Sequence, residues 1–348
     1  MAFASRINRP LVLLWTPDLH CNCSFTSMFA SPLPFALCES EVDSARLATR
    51  AFQVYNYMRP EPGAVKDEYV VPDHRHLFFK SAFLMNHPYG HPRFAIAQLQ
   101  MLRPVKEVAD LLVANRRTVG LHIRNVFDAP RDSTTINSTT GAEALQGATK
   151  EYGSEGTRQL LRWRRAGHWT NFVPKIREMI ASEDAAVAAQ SSGGGGTSPP
   201  RARSSIGESG PGGSPHNRTR PPPLRFYLAA DSGEAYDRLG LLFSDRLLAT
   251  RRTCRSARCD FRDCDGMRYS LVDMLNLART KLILGSGWSS YSEVAAMWGG
   301  TMGEDGMEAL PMQMAGRDFG TIMPDEPEVD SSVRLEPTPY NAEHGHIQ

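Results

Sequence analysis

The 348-residue sequence contains no long hydrophobic run and no excess of charge of either sign. Its longest apolar stretch, PLVLLW at residues 10–15, is far shorter than the roughly 18 residues that a membrane-spanning helix needs. The opening MAFASRINRP lacks the apolar centre of a signal peptide. A net charge of +1 gives no reason to expect a nucleic-acid partner. These absences predict a soluble globular protein with no transmembrane segment.

Two common phosphate-binding motifs are also missing. No G-x-G-x-x-G follows the first predicted strand, and no G-x-x-x-x-G-K-[ST] occurs, which argues against dinucleotide oxidoreductases and P-loop enzymes. The triplet Asp263-Cys264-Asp265 imitates a metal-binding carboxylate pair. It follows a Cys- and Arg-rich stretch rather than an apolar strand, so no metal site is predicted there.

The six cysteines form two groups, one near the start of the chain and one in its second half. They are Cys21, Cys23 and Cys38, then Cys254, Cys259 and Cys264. Zinc sites favour C-x2-C pairs with a nearby His, which neither the spacing nor the neighbours provide. The pattern favours structural or disulfide-bonded cysteines, with free thiols and a metal site as alternatives.

Composition divides the chain into three parts. Residues 188–223 are dominated by Gly, Ser and Pro and are expected to be a disordered insertion, because they offer no apolar residues for a core. Residues 132–156 are polar and are expected to form a loop. We therefore predict an N-terminal domain over 1–116, a second domain over 117–310 and a mostly disordered tail over 311–348.

The second domain shows alternating strand and helix patterns from Val119 onward. Its predicted strands are TVGLHIRN, LRFYLAAD, RLLATRR and KLILGS, each followed by a helical pattern. This alternation predicts an α/β fold with a parallel sheet, whose ligands bind at the carboxyl ends of the strands. Those ends carry polar residues at His122–Arg124, at Asp231–Ser232 and at Gly285–Ser290.

The strand-to-helix corner GSGWSSYS suits a phosphate. A helix N-terminus presents unpaired backbone N–H groups and a partial positive charge. Gly285 and Gly287 would let the backbone approach the ligand, and Ser289, Ser290 or Ser292 would donate hydroxyl hydrogen bonds. The alternative is ordinary serine capping of a buried helix with glycines at a turn.

Three further side chains are candidates for the same site. Arg124 ends an otherwise apolar strand and is suited to binding a phosphate with two hydrogen bonds, unless it forms a structural salt bridge. His122 points to the same face, although a lone histidine of this kind is more often a core residue. Asp273 lies within an apolar helix, where it could accept hydrogen bonds from guanine or sit on the solvated side.

These motifs, taken in order, resemble the donor-binding half of the GDP-fucose fucosyltransferase superfamily, which includes α1,6-, plant xyloglucan and protein O-fucosyltransferases. The matching segments are VGLHIRN, RFYLAAD and SLVDMLNLARTKLILGSGWSSYSEVAAMWGG. The N-terminal RPLVLLWTPDLHCNCSFTSMF is also similar to a segment of these enzymes. The resemblance implies a GT-B-like α/β fold of two Rossmann-like domains, the N-terminal one truncated.

The resemblance also implies roles for the central residues. Arg124 corresponds to the arginine that holds the β-phosphate, and is the expected catalytic residue. His122 corresponds to the histidine of the same motif, near the nucleotide. Asp273 corresponds to the acidic residue that reads guanine.

Four more donor-site residues follow from the same comparison. Ser289 and Ser290 correspond to the hydroxyls and amides at the phosphates. Asp231 corresponds to the acid that ends the second strand. Asp128, six residues after His122, is a weak candidate.

The implied activity is transfer of fucose, or a related sugar, from a GDP-sugar donor to a hydroxyl of a glycan or glycoprotein acceptor. No metal or other cofactor is expected. The resemblance implies the Golgi or secretory lumen, although this chain shows no signal or anchor.

Departures from the family pattern leave two alternatives open. The glycine-containing phosphate loop before the first strand is absent, and Asn125 stands where the α1,6 type has a second arginine. One alternative is a catalytically inactive relative that binds nucleotide or glycan. The other is an unrelated doubly wound protein that uses the corner for another phosphate. The site prediction itself requires that the strand ends at His122, Asp231 and Gly285 meet, with Arg124 near the Ser289–Ser290 helix start.

Overall fold

The structure is a computed structural model, and it describes the greater part of the chain. The described residues are 1–18, 21–50, 53–57, 68–71, 76–81, 85–90, 92–124, 141–192, 222–253, 262–304 and 306–320. Within them, no helix combines the length and the apolar character that crossing a membrane requires.

Helices and strands alternate most regularly in the second half of the chain. The helices are α1 (Ala2–Arg6), α2 (Glu41–Thr49), α3 (Pro92–Gln100), α4 (Lys106–Ala109), α5 (Gly141–Ala166), α6 (Phe172–Ser192), α7 (Gly233–Leu242), α8 (Cys264–Ala278) and α9 (Ser290–Trp298). The strands are β1 (Val12–Leu14), β2 (Ala36–Cys38), β3 (Gln53–Asn56), β4 (Leu77–Lys80), β5 (Thr118–Ile123), β6 (Arg225–Ala230), β7 (Leu247–Leu248), β8 (Leu282–Ser286), β9 (Thr301–Gly303), β10 (Gly306–Glu308) and β11 (Met312–Ala315).

Five parallel strands form the main sheet, in the order β11-β8-β5-β6-β7. Val119 of β5 lies opposite Phe226 of β6 on one side and opposite Leu282 of β8 on the other. The predicted parallel α/β sheet is therefore confirmed, and β5 is its central strand.

The two faces of the sheet are covered by different helices, because the side chains of β5 alternate. Val119, Leu121 and Ile123 are buried in a core with residues of α6 and α7. On the opposite face, Gly120 lies against α8, where a Cβ atom would come within 2.8 Å of Leu277. α8 and α9 cover this second face.

The strand order changes direction between β5 and β8. From β5 the chain moves outward through β6 to β7 on one side, and it then returns to form β8 and β11 on the other side. Open parallel sheets bind ligands in the crevice outside the strand ends at such a point. The carboxyl ends of β5 and β8 therefore mark the place to look for a site.

The described part of residues 1–116 has a different architecture. It contains two separate two-stranded parallel pairs, β1 with β2 and β3 with β4, instead of one Rossmann-like sheet. The segment around Phe25 and Phe29 packs on the outer side of α8. Phe29 also stacks on Trp298 of α9, with ring centroids 5.9 Å apart.

A disulfide between Cys23 and Cys264 joins this N-terminal segment to the first residue of α8. The disulfide expectation is confirmed for these two residues, whereas Cys21 and Cys38 are free thiols. Cys254 and Cys259 lie outside the described residues.

Several sequence-based boundaries are corrected by the structure. The predicted loop over 132–156 is wrong from residue 141 onward, because α5 begins there. Its two helical segments meet at Gly153, whose φ of 72° a glycine adopts without strain. The predicted insertion begins too early, since α6 continues to Ser192. The predicted tail contains β11, whose Met312–Ala315 pairs with β8.

The first strand, β1, lies near the protein surface although its sequence is apolar. Val12 of β1 is exposed, and among the described residues the strand pairs with β2 alone. Its apolar sequence reflects packing of Leu13 and Trp15 on the α8 side.

Candidate functional site

Ser286 joins the carboxyl ends of β5 and β8. Its buried hydroxyl donates to the carbonyl of His122 and accepts from the backbone N–H of Arg124, both at 2.9 Å. The two strands therefore stay in register up to the point where Arg124 leaves the sheet. Sequence reasoning missed Ser286, although a serine at the end of an apolar strand is a polar group that needs such partners.

Arg124 and Asp231 form an ion pair at the ends of β5 and β6. The Nε atom of Arg124 lies 3.5 Å from Oδ2 of Asp231, and the Asp231 N–H donates to the carbonyl of Ile123 at 3.2 Å. Both side chains are partly accessible, and Asp231 orients the guanidinium. The salt-bridge alternative for Arg124 is thus realised, and its partner is another predicted site residue.

His122 is a buried, neutral residue beneath Arg124. Its Nδ1 shares a hydrogen bond of 3.1 Å with the hydroxyl of Ser292, and its ring stacks on Tyr291 with centroids 4.9 Å apart. Burial, together with the charges of Arg124 and Arg164, lowers the pKa of His122 to about 3. At neutral pH the imidazole carries no positive charge, so the cations of the site are arginines.

The start of α9 lies directly after β8. Ser289 is the N-cap residue and has an extended backbone, but its hydroxyl makes no capping hydrogen bond to the helix. Ser290 is exposed, and Trp288 before it adopts a φ of 53°, which non-glycine residues rarely do. Ser292, by contrast, is fully buried and its hydroxyl is shared with His122. Of the three serines, Ser289 and Ser290 are the ones near the surface.

The two glycines of this corner serve internal packing. A Cβ atom at Gly287 would collide with the indole of Trp163 in α5, and one at Gly285 would crowd Ser292 and Met314. These contacts give both glycines a packing role, and their role in opening the backbone to a phosphate stays a prediction. They allow α5 and α9 to approach β8 closely.

The last turn of α5 covers the strand ends, which the sequence did not reveal. Trp163 packs against Gly287. Gly167, directly after α5, lies so close to the ends of β5 and β8 that a Cβ atom on it would come 2.6 Å from the carbonyl oxygen of Arg124 and 2.9 Å from Oγ of Ser286. Arg164, three residues before Gly167, contributes a positive charge that helps to lower the pKa of His122. Residues 141–156 were expected to be a loop, so α5 and its contribution to the site went unrecognised.

Asp273 of α8 lies in a buried polar network. Its Oδ1 accepts a hydrogen bond from the hydroxyl of Tyr227, and its Oδ2 accepts one from Nη2 of Arg252, both at 2.6 Å. Tyr227 also hydrogen-bonds Thr250, and Arg252 contacts the hydroxyl of Tyr236 at 3.3 Å. The alternative that Asp273 sits on the solvated side of its helix is wrong.

This network connects three elements below the strand ends. Burial and the Asp273 carboxylate raise the pKa of Tyr227 well above its ordinary value, so the phenol remains a donor. Tyr236 accepts the N–H of Ala230 at 3.1 Å, one residue before Asp231. The network thus supports the end of β6 from below.

The predicted site residues fall into two groups by position. His122, Arg124, Asp231 and the start of α9 meet at the ends of three adjacent strands, since β5 lies between β6 and β8. Asp273 belongs to the buried network. Asp128 lies outside the described residues. Within the described residues, no group of three or more His, Cys, Asp or Glu side chains is arranged to hold a metal ion.

The chain was compared with known proteins. No family model matches it, and no curated protein matches it. Among solved structures it is similar to the fucosyltransferase NodZ from Bradyrhizobium, with 12% identity, a TM-score of 0.42 and coverage of 84% of either chain. The NodZ α-1,6-fucosyltransferase soaked with GDP-fucose gives 12% identity and a TM-score of 0.42, with 89% of this chain and 91% of that chain covered. A NodZ structure co-crystallised with GDP gives the same identity and TM-score.

Proposed function

We propose that this protein binds a GDP-sugar in the crevice between β5 and β8 and transfers fucose, or a related sugar, to a hydroxyl of a glycan or glycoprotein. The supporting observation is the hydrogen bond from the Arg124 N–H to Ser286 at the end of β8, a few residues before α9 begins, at the point where the strand order reverses. That is where parallel sheets bind ligands, and an arginine with a helix N-terminus suits phosphate. Two of the three motifs that resemble fucosyltransferases end here.

The chemistry follows from the charge that develops during transfer. As the bond between sugar C1 and the diphosphate breaks, the sugar becomes oxocarbenium-like and negative charge builds on the diphosphate. Arg124 and the N–H groups and hydroxyls of Ser289 and Ser290 would stabilise that charge. A fixed donor of this kind is worth about 3–4 kcal/mol. No metal is needed for this step in the proposal.

The remaining predicted residues take supporting roles. Asp231 orients the guanidinium of Arg124 through its Nε atom. The neutral His122 holds Ser292 and Tyr291 beneath the site. Asp273 is proposed to read guanine, for which each carboxylate oxygen retains a second lone pair beside its bond to Tyr227 or Arg252.

The wider arrangement is proposed on the same basis. Residues 117–310, extended by β11, would be the donor domain of a GT-B-like protein, and residues 1–116 would face the acceptor. The Cys23–Cys264 disulfide favours an oxidising compartment such as the secretory lumen.

Calorimetric titration of the purified protein with GDP, GDP-fucose and UDP tests the proposal. We expect binding of both guanine nucleotides and weaker binding of UDP. Incubation with GDP-fucose and a mixture of glycan and glycoprotein acceptors should then release GDP. Binding without any release would identify an inactive relative, and indifference to GDP at millimolar concentration would overturn the proposed function.

A further inference from the structure

We infer that Arg164 is a second phosphate-binding residue, which acts with Arg124 and makes the site selective for a nucleoside diphosphate over a monophosphate. This inference rests on the proposed function and adds a residue that the sequence motifs do not contain. Its ligand chemistry is a diphosphate group, one phosphoryl for each guanidinium.

The position of Arg164 follows from two neighbours, Trp163 in the last turn of α5 and Gly167 directly after this helix, whose N–H donates to the Trp163 carbonyl at 2.9 Å. Trp163 packs on Gly287, and Gly167 packs on the carbonyl of Arg124 and on Ser286. Residues three and four apart lie on the same face of a helix, so Gly167 shares a face with both Trp163 and Arg164. Because Trp163 and Gly167 touch the corner after β8 and the end of β5, this face of α5 covers the crevice.

The charges around the crevice favour a ligand with two negative groups. Arg124 and Arg164 both act on buried His122, which remains neutral. Asp231, paired with Arg124, is the carboxylate at the end of the neighbouring strand β6. Guanidinium groups bind phosphate oxygens with paired hydrogen bonds, so two of them near His122 suit a ligand with two phosphoryl groups.

A purely structural role for Arg164 has a physical basis too. It lies in the last turn of α5, where a positive charge stabilises the partial negative charge of the helix C-terminus. The same holds for any arginine in that turn. The two roles differ in one respect, because only phosphate binding depends on the number of phosphoryl groups in the ligand.

The experiment compares Arg164→Gln with Arg162→Gln, which removes the same charge from an exposed position of the same helix. Calorimetry with GDP and with GMP gives four affinities to set against those of the unaltered protein. For Arg164→Gln we expect GDP affinity to fall by about tenfold or more and GMP affinity to fall much less, as a lost charged hydrogen bond to the second phosphoryl requires. Arg162→Gln should leave both unchanged, and Arg164→Lys should recover part of the GDP affinity.

Each outcome decides between the possibilities. If the unaltered protein binds GDP and Arg164→Gln binds it equally well, the inference is overturned while the proposed function stands. Equal losses for GDP and GMP would also overturn it, because they indicate a structural effect, which thermal unfolding of the variant would show independently. If the unaltered protein ignores GDP, the proposed function itself fails.

Discussion

Two arginine–aspartate pairs in this molecule differ in how deeply they are buried and in how closely their charged groups approach each other. Arg124 and Asp231 meet at the sheet edge at 3.5 Å, with side chains 22% and 16% exposed. Arg252 and Asp273 meet at 2.6 Å inside the protein, with side chains 13% and 5% exposed. The inner pair is further fixed by Tyr227 and Tyr236.

The difference indicates distinct purposes. Removing one partner of a buried pair leaves an uncompensated charge, so the inner pair is bound to its present arrangement. A partly exposed pair at 3.5 Å is worth little to stability, since water screens both charges. Arg124 can therefore redirect hydrogen bonds to an incoming anion at small cost to the fold, whereas Arg252 cannot.

The largest expected effect is on the inner pair. Asp273→Ala should lower the free energy of unfolding by about 3–5 kcal/mol, because the charge of Arg252 would remain buried without its partner. Urea-induced unfolding measures this change. Asp110→Ala is the matched control, since it breaks an exposed pair with Lys106 and should cost less than about 1 kcal/mol. An Asp273→Ala protein of unchanged stability would contradict this structural role, and titration with GDP and UDP would test separately whether the preference for guanine that we propose Asp273 confers is lost.

A smaller effect, of a different kind, is expected at the outer pair. Arg124→Ala should weaken GDP binding by roughly 10–100-fold, which corresponds to the 1.5–3 kcal/mol of a charged hydrogen bond. Its unfolding free energy should change by less than about 1 kcal/mol. Calorimetry and urea unfolding on the same preparation check both statements. A large loss of stability with unchanged binding would show that the outer pair is structural as well, and the contrast between the two pairs would disappear.

The smallest expected effect is a pH dependence at His122, which lies beneath the outer pair. The folded pKa is about 3, below the ordinary value of 6.5, so the unfolded chain binds more protons between these values. The neutral imidazole contributes fully to the free energy of unfolding above pH 6.5, the ordinary histidine pKa. This contribution is lost as the pH falls toward about 3, the pKa of His122 in the folded protein. Between about pH 7 and pH 5.5 the loss should be about 1 kcal/mol. His122→Gln should unfold with a correspondingly shallower pH dependence, and identical slopes would contradict burial of a neutral histidine.

The sheet could be predicted from sequence because its strands are short apolar runs separated by helical patterns. β5, β6 and β8 each end in polar residues, and parallel strands bring such ends to one edge. The pattern therefore located His122, Arg124 and Asp231 together. It also indicated that Asp273, among apolar neighbours, would need partners.

The rest depended on contacts between distant parts of the chain. Trp163 fills the space above Gly287, and no local pattern records which side chain will occupy a glycine's space. Arg252 follows the two-residue strand β7, and no pattern in the adjacent sequence indicated that its side chain would be buried against Asp273. The polar composition before residue 157 concealed α5, because its four glycines, Gly153 among them, and Ser154 are typical of loops.

The N-terminal segment has a practical consequence for dissecting this protein into fragments. Leu271, Val272 and Leu275 of α8 are buried largely by Phe25, Phe29 and their neighbours, and Cys23 is tied to the same helix. A recombinant fragment starting at residue 117 would expose these three apolar side chains of α8 to solvent and would tend to aggregate. A fragment that contains the five-stranded sheet must therefore keep the N-terminal segment around Phe25 and Phe29, or carry polar substitutions at Leu271, Val272 and Leu275.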